Sequence, residues 1–454
     1  MSYSLFFRAF AIDILILVLV LFKQYSELVA IIGGMIIIAY IFFKGLSNPK
    51  EAIFIFFGIK LTFDALWEVK LVEIAGIGKI GLLEFMIIPI IFFSLFGPRI
   101  KDQVPKWPLV IGILYLAWVF GTMLINVESY LDLNLLVRQA CLLFGLLIGM
   151  RYIESIEDLN TVTYLAFLST VIPVLMALLQ IILGPSIELE IFHYKMDSIR
   201  TYRSSGLYHD AGTNGMVIIV SLITNFYLLQ TGLIKSAFHK FHIILIPVCI
   251  FIAIAGGTRS IIFITFLLIT IFFVANIRQM LLIIPIILLV IIFSKPYLDA
   301  VFLKTEKEGV KAVNFTELLK ETEYRTMFTG RVGIWQDIWY KHKSGTLRQQ
   351  LFGTGLSSNA HSSYFFLLLQ IGWLGLFLYL FYYFLIAGYL LKQNIPRMLF
   401  LFILGIFLAN LLIGFSLSTV NYTSFQIATF SILGAGISIG SSRKSLDSKN
   451  YNYI

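Results

Sequence analysis

The sequence predicts an all-α protein that crosses a membrane many times. Of its 454 residues, 59% are hydrophobic and only 13% are charged, whereas about a quarter of the residues in soluble domains are charged. Apolar blocks of about 16 to 25 residues recur along the chain, and each is long enough to cross a hydrocarbon core as a helix. The 34 Lys and Arg outnumber the 25 Asp and Glu, but most of them lie in short connections between apolar blocks. This placement indicates membrane topology and not a nucleic-acid partner.

Fourteen candidate spans follow one another along the chain. They lie at 5–22, 27–43, 52–69, 80–96, 108–127, 135–150, 161–183, 211–230, 243–256, 260–276, 280–294, 363–391, 398–415 and 423–440. With both termini in the cytoplasm, the inside connections and tails hold fifteen Lys and Arg, and the outside connections other than one long loop hold seven. This bias favours the stated orientation. The first span runs on to the second without a small-residue cleavage site, so it reads as an anchor and not a signal peptide.

The spans divide the chain into four regions. Residues 1–294 hold eleven spans and an outer loop at 184–210, residues 295–362 form a long extracytoplasmic loop, residues 363–440 hold three spans, and 441–454 form a polar cytoplasmic tail that we expect to be disordered. Within the long loop, Val332, Trp335 and Trp339 recur at helical spacing. They predict an amphipathic helix on the outer leaflet or over the bundle.

The motifs of several common enzyme classes are absent from the sequence. It contains no P-loop, dinucleotide fingerprint, HExxH helix, GxSxG elbow or Asp-x-Asp pair, so a soluble nucleotide-sugar donor held through a metal is not expected. Cys141 and Cys249 both fall inside apolar blocks, which is typical of small buried hydrophobes and not of a disulfide framework.

A glycine-rich polar segment leads into the span at 363–391. It begins at Gly353 and Gly355 and ends at His361 and Ser362, so it brings a single imidazole to the outer mouth of a span. An imidazole there can accept a proton near neutral pH as a general base, or it can cap the helix.

Several further elements stand in a fixed order around this His. In chain order they are Arg203, Gly206 and Asn214, then Arg259 and Ser260, then Arg331 and Trp335, and finally Gly353, Gly355, His361, Gly372 and Gly375. Together they cover residues 203–376. In this order they resemble the signature of the O-antigen ligase and polymerase superfamily of bacterial envelope glycosyltransferases. Ser362 stands where that family usually has Asn.

The resemblance implies a GT-C-like fold and an inverting, metal-independent glycosyltransferase without a cofactor. It implies that the site lies on the outer side of the bacterial inner membrane. The expected partners are an undecaprenyl-diphosphate-linked glycan donor, a glycan acceptor, membrane lipid, and a chain-length regulator or flippase, with no nucleic acid.

The same resemblance assigns roles to individual residues. It implies that His361 is the general base and that Arg259 and Arg331 hold the departing diphosphate, which suits planar guanidinium groups. Arg203, Asp210, Trp335 and Tyr364 are candidate substrate-binding residues. For Asp210, the alternative is an N-cap of the span that starts at Ala211.

Three functions remain open at this point. A polysaccharide polymerase is favoured because fourteen spans exceed the roughly twelve usual in the ligases of that family. The alternatives are an O-antigen ligase that transfers glycan to lipid A core or protein, and a flippase or transporter of lipid-linked oligosaccharide, in which charged residues usually line a midplane path.

In the first half of the chain, Lys60 and Asp64 are spaced to form an ion pair on one helix face, and Glu84 and Arg138 lie near span ends.

Overall fold

The structure is a computed structural model of the chain. It describes residues 3–23, 25–66, 68–74, 78–126, 133–183, 205–208, 210–234, 236–256, 258–275, 288, 290–292, 294, 331–355, 362–393, 395–417, 419 and 422–451. The described part is nearly all helical. The fold class expected from the sequence, an all-α membrane protein, is confirmed at that level.

Fifteen α-helices are described. In chain order they are α1 Tyr3–Phe22, α2 Glu27–Ser47, α3 Pro49–Phe63, α4 Leu82–Phe96, α5 Trp107–Ile125, α6 Leu133–Tyr152, α7 Ile156–Leu183, α8 Ala211–Gln230, α9 Ser236–Ala255, α10 Arg259–Ala275, α11 Arg331–Ser344, α12 Leu347–Phe352, α13 Ser363–Leu391, α14 Arg397–Ser416 and α15 Thr423–Tyr451.

Among the described residues, nine helices are long and apolar enough to cross a membrane: α1, α2, α5, α7, α8, α9, α13, α14 and α15. Leu82–Phe96 and Arg259–Phe272 are shorter apolar helices. The count of fourteen spans therefore stays a prediction, and the predicted span at 280–294 lies largely outside the described residues. The helix expected around Trp335 and Trp339 is α11.

Two segments differ from the sequence-based expectation. The span expected at 52–69 is helical only to Phe63, and a short 3-10 turn at Asp64–Leu66 follows it. The chain then forms an antiparallel hairpin of β1, Lys70–Ile74, and β2, Gly78–Gly81, because β-branched and apolar residues here occupy a segment too short for another helix. At the other end of the chain, α15 continues past residue 440 to Tyr451, so most of the tail expected to be disordered is helical.

Ion pairs mark one end of the bundle, which we call the basal end and which carries the start of α1. There Arg8 and Lys44 both contact Glu51 at the start of α3, at 2.6 and 2.9 Å. Lys50 pairs with Asp158 at 2.7 Å, and Lys101, which follows α4, pairs with Glu154, which follows α6, at 2.9 Å. The opposite end, which carries the ends of α3 and α5 and the starts of α8, α13 and α15, is the distal end.

The packing of α6 against α15 fixes the middle of the bundle. A Cβ added at Gly149 would lie 2.1 Å from the Ser431 carbonyl oxygen, and one added at Gly434 would lie 2.4 Å from that of Leu146. Small residues thus let the two backbones touch, which is the usual means of helix association in membranes. Because α6 and α15 are locked together, the residues at their distal ends are held in register.

Candidate functional site

Polar side chains gather at the distal end, where the apolar blocks of α3, α6, α8 and α15 give way to charged and hydroxyl residues. Lys60 and Asp64 lie one turn apart at the end of α3 and form an ion pair, with their side chains 4% and 16% exposed. The other oxygen of Asp64 accepts a hydrogen bond from Ser424 Oγ at the start of α15. The expected Lys60–Asp64 pair is therefore present, and it also ties α3 to α15.

Tyr208, in the segment before α8, joins the same cluster. Its hydroxyl donates to the Leu61 carbonyl oxygen at 2.8 Å. Burial raises the pKa of Tyr208 well above its ordinary value, and the nearby carboxylates of Asp64 and Asp13 raise it further. Tyr208 therefore remains a protonated donor.

A second ion pair links α4 to α6. Arg138 Nη2 lies 3.5 Å from Glu84 Oε1, with the side chains 35% and 20% exposed. The second oxygen of Glu84 accepts from the backbone N–H of Gly81 at 3.0 Å and so caps α4. The sequence places both residues near span ends but gives no sign that they pair, because 54 positions separate them.

Asp210 is the N-cap of α8, which is one of the two roles expected for it from the sequence; the other is substrate binding. Its Oδ1 accepts from the Thr213 backbone N–H at 2.9 Å and its Oδ2 accepts from Thr213 Oγ1 at 2.7 Å. Tyr422 donates to the same Oδ2 at 3.3 Å. Burial first, and then the Asp210 charge, raise the pKa of Tyr422, while Arg138 lowers it. Asp210 thus holds the start of α8 against the segment that precedes α15.

The N-termini of α8, α13 and α15 converge around Leu417, Thr419 and Tyr422. A Cβ at Gly212 in α8 would lie 2.9 Å from the Leu417 side chain, and Ser363 Oγ in α13 donates to the Leu417 carbonyl oxygen at 3.2 Å. Ser363 also shares a hydrogen bond of 2.9 Å with Thr419 Oγ1. Because each helix N-terminus carries a partial positive charge, this arrangement favours an anion nearby.

Helix α13 is broken inside the bundle. At Gly372 the backbone takes φ 70° and ψ −174°, so the carbonyls of the preceding turn lose their helical partners. The Thr354 N–H donates to the Leu369 oxygen at 2.8 Å, and the Gly355 N–H donates to the Gln370 oxygen at 3.2 Å. From α5, Trp118 Nε1 donates to the Ile371 oxygen at 3.2 Å.

Close backbone contact explains why glycine occupies both sides of this crossing. A Cβ at Gly372 would lie 2.3 Å from the Leu351 carbonyl oxygen, and one at Gly353 would lie 2.2 Å from the Gln370 carbonyl oxygen. Gly353 itself has a φ of 78°. Gly353–Gly355, which we call the Gly-x-Gly element, and Gly372 are thus two halves of one structural joint. This joint fixes the first part of α13 (363–371).

The aromatic residues expected to bind substrate pack helices together. Trp335 of α11 stacks on Phe365 of α13, with ring centroids 5.5 Å apart and planes 11° apart. The Tyr364 hydroxyl donates to the Leu411 carbonyl oxygen at 2.7 Å, and its ring packs on Phe415. Trp335 therefore attaches α11 to α13, and Tyr364 attaches α13 to α14.

The basic residues expected at the site are only partly described. Arg259 is half-buried and begins α10, beside the first turns of α8, where a Cβ at Gly215 would meet Ile261. Arg331 is the first residue of α11, and its side chain lies outside the described part of the structure. Arg203 and His361 lie outside the described residues altogether, although His361 directly precedes Ser362 in the chain.

Sequence reasoning missed Tyr422 and Ser424 as members of this cluster. Both stand at the head of the last span, and a hydroxyl residue there reads as an ordinary cap until α3 and α8 are seen beside it.

Within the described residues, no group of three or more His, Cys, Asp or Glu side chains is arranged to hold a metal ion. Comparisons of the chain with protein-family models, curated proteins and solved structures found no match.

Proposed function

We propose that this protein is an inverting, metal-independent glycosyltransferase that polymerises undecaprenyl-diphosphate-linked oligosaccharide repeat units. In this proposal the distal end faces the outside of the bacterial cytoplasmic membrane. The basic residues of the basal end, among them Arg8, Lys44 and Lys50, support that orientation because cytoplasmic connections carry an excess of Lys and Arg.

The observation that carries the proposal is the convergence of the N-termini of α8, α13 and α15, with Arg138 and Arg259 on the neighbouring helices. A lipid diphosphate leaving group gains negative charge as its bond to the sugar breaks. Helix N-termini and guanidinium groups fixed in advance stabilise such charge without reorganising during the reaction. The order of motifs from Arg203 to Gly375 supports the same substrate class.

The proposed reaction is a single displacement at the anomeric carbon. His361 takes the proton of an acceptor hydroxyl as its oxygen attacks that carbon, and the bond to the diphosphate oxygen breaks with its electron pair leaving on the diphosphate. Arg259 and Arg331 hold the departing diphosphate. The configuration at the anomeric carbon inverts, because the acceptor enters opposite the leaving group. Arg203 would contact the donor, and Asp210 acts by holding α8 in place.

A transporter is the second candidate, and the break at Gly372 is the observation that favours it. Secondary transporters often bind substrates and ions at broken helices whose free carbonyls face the site. Here hydrogen bonds from Thr354, Gly355 and Trp118 occupy the carbonyls of residues 369–371. This observation favours a structural joint, and with it the glycosyltransferase.

The deciding experiment uses the purified full chain in lipid nanodiscs with a lipid-diphosphate-linked repeat unit. A ladder of products on a gel supports a polymerase, whereas a single shift that requires an added acceptor identifies a ligase. In sealed vesicles, movement of the lipid across the bilayer without a new glycosidic bond identifies a transporter. Activity that stops in EDTA and returns with Mg²⁺ contradicts the metal-independent mechanism.

Variants at matched protein levels test the assigned residues. His361→Ala should lower the transfer rate by about 10²- to 10⁴-fold, the usual contribution of a general base. Arg→Lys at 259 or 331 should keep some donor binding and lose most transfer, because Lys lacks the bidentate fork, and Ala should be worse. Arg203→Lys should be nearly neutral. Arg99→Ala is the matched control, since Arg99 is exposed at the basal end and contacts Asp102. Wild-type rates in the Ala variants at 259 and 331 would remove both residues from the site.

A further inference from the structure

A cavity of about 680 Å³ lies at the basal end, far from the polar side chains that gather around Lys60 and Asp64 at the distal end. Helices α1, α7, α8 and α9 surround it. Along α7 it extends from Glu157 to Val171, which corresponds to about 21 Å at the helical rise of 1.5 Å per residue. One leaflet of the hydrocarbon core is about 15 Å deep. The cavity is therefore deep enough to take a lipid acyl chain that enters from the basal interface.

The deeper part of this cavity is apolar and aromatic. Phe6 and Phe10 come from α1, Phe167 and Leu168 from α7, and Phe238 and Phe241 from α9. Phe10, Phe238 and Phe241 are 38%, 55% and 40% exposed, so the cavity opens sideways between α1 and α9. In a membrane-spanning bundle that side faces lipid.

The basal end of the cavity is polar and rich in acceptors. Glu157 supplies a carboxylate, and the Thr161 hydroxyl, which donates to the Glu157 carbonyl at 2.8 Å, keeps its own lone pairs. Asn160 Oδ1 accepts from the Tyr227 hydroxyl at 2.8 Å. Glu157 is the one charged residue in the lining of the described part of the cavity. A negative charge among acceptors selects a positively charged donor.

The buried His242 lies in the aromatic part of the cavity, beside Phe167. Asn225 Nδ2 donates to the His242 carbonyl oxygen at 2.8 Å, which fixes the orientation of the amide, and Asn225 Oδ1 lies 2.6 Å from His242 Nδ1. Nδ1 then carries a proton, and in the neutral ring Nε2 is an acceptor. The ring stacks on Phe167 with centroids 4.5 Å apart, and this contact holds it in the cavity wall.

We propose that this cavity binds a membrane phospholipid whose head group carries a primary ammonium, with one acyl chain inside the aromatic part. An ammonium has three N–H donors and no acceptor, which matches Glu157 and its neighbours. A choline head has the charge but no N–H, and a glycerol head leaves the lipid with a net negative charge that Glu157 repels. A lipid diphosphate is disfavoured here for the same reason.

The test measures which lipids remain bound to the purified full chain by native mass spectrometry. The protein is taken from vesicles with equal parts of phosphatidylethanolamine, phosphatidylcholine and phosphatidylglycerol. Wild type should retain phosphatidylethanolamine about tenfold over each of the others, the size expected for one charge-assisted hydrogen bond. Glu157→Gln should remove this preference. Glu154→Gln is its control, because Glu154 is an acidic residue of the same end that pairs with Lys101.

A second pair of variants tests the apolar part. Val171→Trp should fill the cavity and lower total retained lipid several-fold, whereas Leu175→Trp, at an exposed position one turn further along α7, should leave it unchanged. The proposal is overturned by equal retention of the three lipids, by preferred retention of phosphatidylglycerol, or by equal lipid content in the two Trp variants. None of these readouts depends on glycan transfer.

Discussion

Replacement of Gly372 by Ala should destabilise the protein strongly. Gly372 has φ 70° and ψ −174°, a region that is populated almost only by glycine and costs a residue with a Cβ about 1–3 kcal/mol. The new Cβ would also lie 2.3 Å from the Leu351 carbonyl oxygen and 2.5 Å from the Gly353 nitrogen. Both are backbone atoms, so no side-chain rotation relieves the overlap.

The size of the effect follows from what must move. Relief of the overlap displaces the segment around Gly353 and breaks the hydrogen bonds of Thr354 and Gly355 to the carbonyls of Leu369 and Gln370. Each carbonyl left buried and unpaired costs about 1–3 kcal/mol. With about 2 kcal/mol of backbone strain, the free energy of unfolding should fall by at least about 4 kcal/mol.

The control is Gly388→Ala in the same helix. Nothing lies within 4 Å of a Cβ at Gly388, so this variant should gain up to about 1 kcal/mol from helix propensity. Denaturant unfolding of both variants in the same detergent, followed by circular dichroism, measures the difference. If the two variants unfold at the same denaturant concentration, the joint between the Gly-x-Gly element and α13 does not hold the fold.

Three further perturbations have expected outcomes. Lys60→Met removes the cation that pairs with the Asp64 carboxylate and should lower the free energy of unfolding by about 3–5 kcal/mol. The double variant Lys60→Met/Asp64→Leu should recover most of this loss. Denaturant midpoints that show no recovery would contradict the pairing. Asp210→Ala should lose about 1 kcal/mol through the missing N-cap, whereas Asp210→Ser should retain most of the stability in the same assay. Burial lowers the pKa of His342 below its ordinary value of 6.5. The free energy of unfolding should therefore stay constant above pH 6.5. It should fall as the pH drops through 6.5, because the unfolded chain binds the proton more readily than the folded chain. His342→Gln should flatten this part of the pH profile.

Most of the helices could be predicted from the sequence because apolar blocks of this length have few alternatives. The span at 52–69 was wrong beyond Phe63, since apolarity continues through Leu66 while the backbone turns towards the hairpin. Hydropathy cannot register that change. The break at Gly372 was missed for a related reason: glycine is common in membrane helices, and the partner that opens the helix, Gly353, lies in a different segment.

The candidate site was predictable where partners are close in sequence. Lys60 and Asp64 are one helical turn apart, so their pairing follows from spacing alone. The Asp210 cap is equally local. The Arg138–Glu84 pair and the contacts of Ser424 and Tyr422 join helices far apart in the chain, and one sequence without an alignment carries no signal for them.

The first part of α13 (363–371) is held at both ends. At its start, Ser362 and Ser363 donate to carbonyls of the α14 end, at Gly414 and Leu417. At its far end, the break is closed by the Gly-x-Gly element and Trp118. In the proposed mechanism the base at position 361 is joined to this anchored element through Ser362, and general-base catalysis requires such positioning for hydrogen-bond reach. Under the proposed function, weakening the joint at Gly372 should therefore lower glycan transfer as well as stability.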